Sequence, residues 1–341
     1  MTLRRICVFG AGAVGGHIAA KLVSAGLEVS AVARGANLAA LRQRGIALRE
    51  GERSYGGPLR ASDRPAELGV QDVVFATTKA NALAALAQAA PVLGGPHTLF
   101  VFVQNGIPWW YAHGLNSGLN NGRRAARPSP PDLSRLDPGG ALARAIGPER
   151  VIGGVAYSSN QVVEPGVVEN FSEGRNMLVI GEIDDRQTPR IAELRALLTG
   201  AGLHSPPAGD LRQSVWDKLV INFGSTLCVP IGGPLSALME DPALRAARER
   251  LFAEGRAIAR AHGVSLEDVP KRPGGPQVAG ATRHKPSMLQ DYELGRPMEI
   301  EALLVAPCAF ARAAGVEAPA LEQLAAVTAR LAAGKGLYSA A

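Results

Sequence analysis

The chain has 341 residues, of which 47% are hydrophobic and 19% are charged, and its formal net charge is +6. This apolar content excludes a disordered chain, and the length suits two domains. The basic residues are scattered arginines without interleaved aromatic residues, so we expect no nucleic-acid partner. Glycines break the first apolar run and no other run is long enough for a membrane helix, so we expect neither a signal peptide nor a membrane anchor.

The cysteines and histidines predict no covalent cross-link and no metal site. Cys7, Cys228 and Cys308 are far apart in apolar surroundings. That pattern predicts reduced core residues and a cytoplasmic location. The six histidines show no metal-ligand spacing.

The N-terminal stretch predicts a dinucleotide-binding turn. The apolar run Arg5–Phe9 leads into Gly10, Gly12 and Gly15, and the helix-forming stretch Ile18–Val23 follows. In this spacing the first glycine permits the turn, the second lets the backbone approach a pyrophosphate, and the third allows close packing of helix and strand. The phosphates then meet free N–H groups at the helix N-terminus. The predicted cofactor contacts in this turn are Gly10, Ala11, Gly12, Ala13, Val14 and Gly15.

The end of the second predicted strand, Leu27–Ala33, indicates which cofactor is used. Enzymes that use NAD usually carry Asp or Glu there, to accept a hydrogen bond from the ribose. No acidic residue stands between Ser30 and Arg49, and Arg34 occupies that place. Because a guanidinium favours a 2′-phosphate, we predict NADP(H), over the alternative of a solvated surface arginine.

Two further strand ends carry polar residues. The strand over Asp72–Thr78 runs into Lys79, and the strand over Thr98–Val103 ends just before Asn105. Ligands of open α/β sheets bind at the carboxyl ends of the strands, so Lys79 is either a cofactor contact or a surface lysine at a helix start. Asn105 either bridges cofactor and substrate or forms an Asx turn.

An irregular insert follows, over residues 107–140. It begins with the aromatic run Trp109–Tyr111 and continues with many Gly, Asn, Arg, Ser and Pro residues. A connection of this length is usually a lid or a disordered insert, and either would place the aromatic residues near the mouth of the site.

The rest of the first domain should extend the sheet. Predicted strands over 151–159, 161–163, 167–170 and 176–181 form an antiparallel extension. Thr188 should cap a helix that runs from Pro189 to Gly200. The dinucleotide-binding domain is then predicted to span residues 1–206.

Residues 207–335 have helical periodicity and predict an all-α second domain. Asp210 should cap a helix over Leu211–Leu227, and Asp241 a helix over Ala243–His262. Two more helices are predicted over 297–314 and 319–333. The predicted fold class is therefore α/β, with an N-terminal Rossmann-type domain followed by an all-α C-terminal domain.

The first of these helices carries polar residues at helical spacing. Lys218, Asn222 and Thr226 stand at i, i+4 and i+8, which places them on one face. This face is either part of a site or a solvated stripe.

Several motifs together carry a resemblance that covers nearly the whole chain. They are Gly10-x-Gly12-Ala13-x-Gly15, Thr78-Lys79-Ala80, Gln104-Asn105-Gly106, Lys218-x-x-x-Asn222, and Lys285-Pro286-Ser287-Met288-x-x-Asp291 followed by Gly295-Arg296-Pro297-x-Glu299. In these motifs the chain resembles the ketopantoate reductases, also called 2-dehydropantoate 2-reductases. That family reduces a branched 2-oxo acid with NADPH on the route to pantothenate.

The resemblance implies roles for single residues. It implies that Lys218 is the proton donor and that Glu299 lies near this lysine and the cofactor. An ammonium against the carbonyl oxygen would stabilise the charge that hydride attack creates and would deliver the proton. The implied substrate ligands are Asn105, Asn222 and Ser287, to which we add Thr226 at the position of a second family asparagine. The implied cofactor contacts beyond the glycine turn and Arg34 are Lys79, Asn105 and Glu299.

Two alternatives stay open at this stage. Thr226 and Met298 stand where many family members have asparagine and threonine, which motivates a reductase of another 2-oxo acid or of an imine. The other alternative is an NADP(H)-binding regulator without turnover. An apolar helix face in the second domain would serve a core or a homodimer equally.

Overall fold

The computed structural model describes residues 3–115, 128–267, 269–271 and 285–339. The strands are β1 Arg5–Phe9, β2 Glu28–Val32, β3 Ile46–Glu50, β4 Arg53–Gly57, β5 Arg60–Ser62, β6 Gln71–Ala76, β7 Gly94–Phe102, β8 Val151–Tyr157, β9 Asn160–Glu164, β10 Val167–Asn170 and β11 Met177–Glu182. The helices are α1 Ala13–Ser24, α2 Gly35–Arg44, α3 Ala84–Leu93, α4 Ala141–Ile146, α5 Pro189–Gly200, α6 Leu211–Thr226, α7 Cys228–Ile231, α8 Leu235–Glu240, α9 Pro242–Ala261, α10 Ser287–Glu293, α11 Ala306–Ala313 and α12 Pro319–Gly334.

The main sheet has seven strands in the order β11-β8-β7-β6-β1-β2-β5. Its pairings are parallel except at the edge, where β11 runs antiparallel to β8. The order in which the chain adds strands reverses at β1, with β2 on one side and β6 on the other, so the carboxyl ends of β1 and β6 flank the crevice in which such sheets bind ligands. The Rossmann-type prediction is confirmed, and in the described part of the chain every regular element from α5 onward is a helix.

A second sheet, of four strands, was not predicted. Its order is β4-β3-β10-β9, with β10 parallel to β3. The expected antiparallel extension is therefore right for β11 and wrong for β8, which joins the main sheet parallel to β7, and for β9 and β10, which lie in the second sheet. The reason is packing against α1, where a Cβ on Gly16 would come within 2.6 Å of Val168 Cγ2. Ile46 and Leu48 are buried in the same layer.

The predicted helix starts are confirmed at the side-chain caps. Thr188 accepts a hydrogen bond from Ile191 N, Asp210 from Arg212 N, and Asp241 from Ala243 N and Leu244 N. These caps satisfy N–H groups that the helices leave unpaired. The helix expected over 297–314 instead begins at Ile300 and contains a π-helical turn over Glu301–Val305.

The aromatic residues of the insert lie in the core, so their predicted place near the mouth of a site is wrong. Trp110 and Tyr111 are only 1% and 2% exposed. Trp216 Nε1 of α6 donates to the Tyr111 hydroxyl at 2.7 Å, and the Arg212 guanidinium donates to the Tyr111 carbonyl at 2.8 Å. Burying these large rings between the sheet and α6 removes more apolar surface from water than a lid position would. Of the predicted insert over 107–140, residues 116–127 lie outside the described residues.

One apolar cluster runs from the sheet into the helices, through Phe102, Trp110, Trp216 and Phe310. The division at residues 206 and 207 therefore stays a prediction. The three cysteines are buried and free, as predicted. Within the ranges given above, no helix is both long enough and apolar enough to span a membrane.

Candidate active site

The larger of two neighbouring cavities fits a dinucleotide. It has a volume of about 730 Å³ and is lined by Gly10, Ala11 and Gly12 of the turn, together with residues that follow β2 and β6. Gly10 has φ +101°, and a Cβ there would lie 2.8 Å from Thr78 N, so only glycine fits. A Cβ on Gly12 would meet nothing within 4 Å, which leaves room for a phosphate against the backbone.

The remaining glycine of the motif has the packing role that the spacing predicts. A Cβ on Gly15 would lie 2.3 Å from Gly10 O and from Thr77 Oγ1. Its absence brings α1 close to the strand ends. Gly12 caps α1 without any side-chain acceptor, so the first N–H groups of the helix can receive an anion.

Charged side chains of both signs line this cavity. Arg34 and Arg64 line it, and so does Asp63. Arg64 is paired with Glu67, and Asp63 lies 3.8 Å from the Arg42 guanidinium. Arg34 makes no ion pair with any residue in the described ranges. Asp63 directly follows β5, a strand that the sequence did not predict, and it lies outside the stretch from Ser30 to Arg49 in which an acid was expected.

The smaller cavity, of about 220 Å³, brings together residues from distant parts of the chain. Lys218 and Asn222 come from α6, Ser287 from the start of α10, and Asn105 from the end of β7. Ala13 and Val14 also line it, and they directly follow Gly12, which lines the larger cavity. We call it the Lys218 pocket.

Two buried polar atoms of residues that line the pocket have no partner in the described part of the chain. They are Asn222 Nδ2 and Gln104 Oε1. Gln104 Nε2 donates to the carbonyls of Ala76 and Thr78, at 2.6 and 3.1 Å, so its orientation is set by the backbone. Buried polar atoms without partners are rare, and a ligand with both donors and acceptors would satisfy them.

Lys218 lies over an anchored aromatic ring. Its Nζ is 5.6 Å from the centroid of Tyr157. The Tyr157 hydroxyl lies 3.0 Å from Ser214 O and 2.9 Å from Asp217 Oδ2, so the ring is held against α6. A cation is stabilised over such a ring.

Thr226 is not in the pocket, which corrects its predicted role as a substrate ligand. Its side chain is 2% exposed, and its hydroxyl donates to Asn222 O at 2.8 Å. Ser225 lines the pocket instead, but its hydroxyl also donates to Asn222 O, at 3.1 Å. At the end of α6 both hydroxyls therefore bond to the helix backbone.

Glu299 does not line the Lys218 pocket, so its place near Lys218 stays a prediction from the resemblance. It lines a third cavity, of about 550 Å³, and its Oε1 accepts from Ala80 N at 2.9 Å. Burial raises the pKa of this carboxyl to about 7, although the Ala80 N–H and Lys79 act in the opposite direction.

Lys79 lies between this region and the dinucleotide cavity. It lines the larger cavity, as expected for a cofactor contact. Its ammonium pairs with Asp291 at 2.6 Å and donates to Pro297 O at 3.1 Å. The structure therefore places Lys79, Asp291 and Glu299 as one group that joins the end of β6 to the segment before the π-helical turn.

Other polar residues of the pocket were not predicted. Ser158, Ser159 and Asn160 follow β8, and Gln290 lies on α10. Because β8 is parallel to β7, its carboxyl end lies at the same sheet edge as Asn105, and that placement was a usable signal. Among the described residues, no three His, Cys, Asp or Glu side chains are grouped as a metal site requires.

The fold, the dinucleotide cavity and the adjoining Lys218 pocket define a Rossmann-type oxidoreductase. Residues 6–108 match the family "Ketopantoate reductase PanE/ApbA", and residues 210–332 match its C-terminal part. A 2-dehydropantoate 2-reductase of Mesorhizobium japonicum is 39% identical, over 98% of this chain and 100% of its own length. The chain belongs to the ketopantoate reductase family.

Solved structures agree with this assignment. The 2-dehydropantoate 2-reductase of Geobacter metallireducens has 26% identity and a TM-score of 0.77, over 96% of this chain and 99% of its own. A D-mandelate dehydrogenase solved with NADH and anilino(oxo)acetate shares the fold, with 18% identity and a TM-score of 0.78 over 98% and 99% of the two chains. The family consists of NAD(P)-dependent reductases.

Proposed function

We propose that this protein reduces 2-dehydropantoate to pantoate with NADPH, and that Lys218 donates the proton. The observation that carries the proposal is the Lys218 pocket, where Lys218, Asn222 and Ser287 meet Asn105 and the glycine turn. The name of the 39% identical relative supports the choice of substrate.

The proposed cofactor site is the larger cavity. NADPH would supply the hydride when bound there. The turn from Gly10 to Gly15 and the first N–H groups of α1 would hold its phosphates. Arg34 would pair with the 2′-phosphate, because it lines the cavity and has no ion-pair partner in the described ranges. Lys79 and Asn105, which line the two cavities, would contact the cofactor between them.

The proposed chemistry places Lys218 against the carbonyl oxygen of the substrate. As negative charge develops on that oxygen, the ammonium stabilises it and transfers one proton to it. This interaction is stronger in the transition state than in the ground state, so it raises turnover and not only affinity.

The amide and hydroxyl groups of the pocket would orient the 2-oxo acid. Asn222 Nδ2 is a buried donor without a partner in the described part of the chain, so an acceptor oxygen of the substrate would satisfy it. Ser287 and Asn105 would bind the remaining oxygens. Glu299 lines a different cavity, and we assign it no contact with the substrate.

The test is NADPH oxidation by the purified protein with a panel of 2-oxo acids and an imine, followed by identification of the product. We expect the highest kcat/KM with 2-dehydropantoate and pantoate as the product. If kcat/KM is higher with another oxo acid or with the imine, that compound replaces 2-dehydropantoate as the proposed substrate. Tight NADPH binding without oxidation of any panel member would instead indicate a regulator.

The proposal also covers the setting of the enzyme. We propose a cytoplasmic location, which three buried, free cysteines support. A small molecule is the proposed partner, whereas the homodimer stays a prediction that sedimentation of the purified protein would test.

A further inference from the structure

A buried ion pair starts a chain of hydrogen bonds that ends in the Lys218 pocket. Lys21 of α1 pairs with Glu50 of β3, and their side chains are only 5% and 7% exposed. The Lys21 ammonium also lies 3.4 Å from the centroid of the Tyr55 ring. The other oxygen of Glu50 accepts a hydrogen bond from Asn176 Nδ2. Since a carboxylate can only accept, this contact determines which atom of the Asn176 amide is the nitrogen.

The orientation of Asn176 determines the orientation of the next two amides. Asn176 Oδ1 accepts from Asn170 Nδ2 at 2.9 Å. The backbone N–H of Ser172 donates to Asn170 Oδ1 at 3.0 Å, which requires the same orientation. Asn170 Nδ2 also donates to Asn160 Oδ1 at 2.6 Å. Each amide can accept at one end only, so Asn160 must present its nitrogen to whatever lies on its other side.

Asn160 presents that nitrogen to Ser158 and to His17. Its Nδ2 lies 2.8 Å from Ser158 Oγ and 3.2 Å from His17 Nδ1. An amide nitrogen has two hydrogens, so the two contacts use both of them. His17 accepts only while its ring is neutral, and burial lowers the pKa of this ring to about 3.

Ser158 Oγ is thereby an acceptor toward Asn160, and its own hydrogen must point elsewhere. Ser158 lines the Lys218 pocket, and its hydroxyl finds no acceptor among residues of the described ranges. We propose that Ser158 donates a hydrogen bond to the carboxylate of the 2-oxo acid, and that Asn160 is the positioning residue that keeps this hydroxyl a donor. The inference rests on the proposed function, because it assigns one more contact to the same substrate.

The direct test is Ser158→Ala. A hydrogen bond to a charged acceptor contributes enough that we expect KM for the oxo acid to rise about ten-fold or more, with kcat little changed. The Kd for NADPH should not change. Ser225→Ala is the matched control, because this serine lines the same pocket but donates to the α6 backbone. An unchanged KM, or a loss confined to NADPH affinity, would overturn the proposal.

A double-mutant cycle tests the role of Asn160. Asn160→Ala should raise KM in the wild-type background and add little in the Ser158→Ala background, because it acts through that hydroxyl. Equal effects in both backgrounds would show that Asn160 acts independently and would remove it from the proposal. If Asn160 had a purely structural role, Asn160→Ala would lower the urea midpoint of unfolding, and its effect on KM would not depend on whether Ser158 is present.

Calorimetry of 2-dehydropantoate binding separates this proposal from the proposed function. Wild type that binds the acid but does not reduce it would contradict the function, while the loss of affinity in Ser158→Ala would still test the contact. If wild type binds and reduces the acid and Ser158→Ala does so equally well, the contact alone is contradicted. Wild type that binds no 2-oxo acid would overturn both.

Discussion

The Glu299 carboxylate accepts a 2.9 Å hydrogen bond from the backbone N–H of Ala80, 219 residues earlier in the chain. Beside it, the Lys79 ammonium pairs with Asp291. These contacts hold the end of β6, which borders the dinucleotide cavity, to the segment that precedes the last helices. Because burial raises the pKa of Glu299 to about 7, the charge at this junction changes near neutral pH.

The free energy of unfolding should depend on pH because Glu299 gains or loses this proton. Between 4.5, the ordinary pKa, and about 7, the folded chain holds a proton on Glu299 that the unfolded chain releases. The free energy of unfolding contributed by Glu299 therefore falls as pH rises through this window, by at most about 1.4 kcal/mol per pH unit. Urea unfolding at pH 5, 6 and 7 should show a steeper fall for wild type than for Glu299→Gln. The exposed Glu322→Gln is the control, and parallel curves for wild type and Glu299→Gln would contradict the prediction.

Lys218→Ala should lose most of its turnover. General acid catalysis is typically worth about 10²–10⁴-fold, and the lost interaction belongs to the transition state. NADPH affinity, measured by fluorescence quenching, should persist because the glycine turn holds the phosphates. Lys285→Ala is the matched control, since its ammonium is paired with Glu293 at the surface, 2.8 Å away. Near wild-type kcat in Lys218→Ala would remove this lysine from the mechanism.

Arg34→Ala should reduce the preference for NADPH over NADH. Loss of one charge-assisted contact with the 2′-phosphate should cost about 1.5–3 kcal/mol of NADPH binding and leave NADH binding nearly unchanged. The measurement is the Kd of both cofactors for wild type and variant. Arg44→Ala serves as the control, because this arginine lies at the other end of α2 and bonds to Pro165 O at 3.1 Å. Wild type that binds both cofactors equally would contradict the prediction, and Asp63 would then be the residue to examine at the ribose.

Tyr111→Phe should lower stability and leave KM for the oxo acid unchanged. The variant removes the acceptor of the buried Trp216 N–H, and leaving such a donor unpaired costs about 1–3 kcal/mol. Urea unfolding measures the loss, and the half-buried Tyr292→Phe is the control. A raised KM with unchanged stability would restore the lid interpretation of the aromatic run. For the same reason, deletion of residues 107–137 is expected to destabilise the fold.

Local rules were enough to predict many elements from the sequence. The glycine turn, the starts of α5, α6 and α9, and the parallel strands beside β1 each depend on residues a few positions apart. The spacing of Lys218 and Asn222 likewise predicted that they share a face, because a helix repeats every 3.6 residues. Both line one pocket.

Other features were decided only by the tertiary structure, because they depend on which distant segments pack together. Composition made the insert resemble a lid, yet the burial of Tyr111 depends on Trp216 more than a hundred residues later. The pairing of β10 with β3 follows from the surface of α1, and the place of Glu299 follows from the N–H of Ala80. The sequence determined which side chains could do chemistry, whereas packing over these separations decided which of them meet, because side-chain contacts between distant segments leave no periodic signal in the chain.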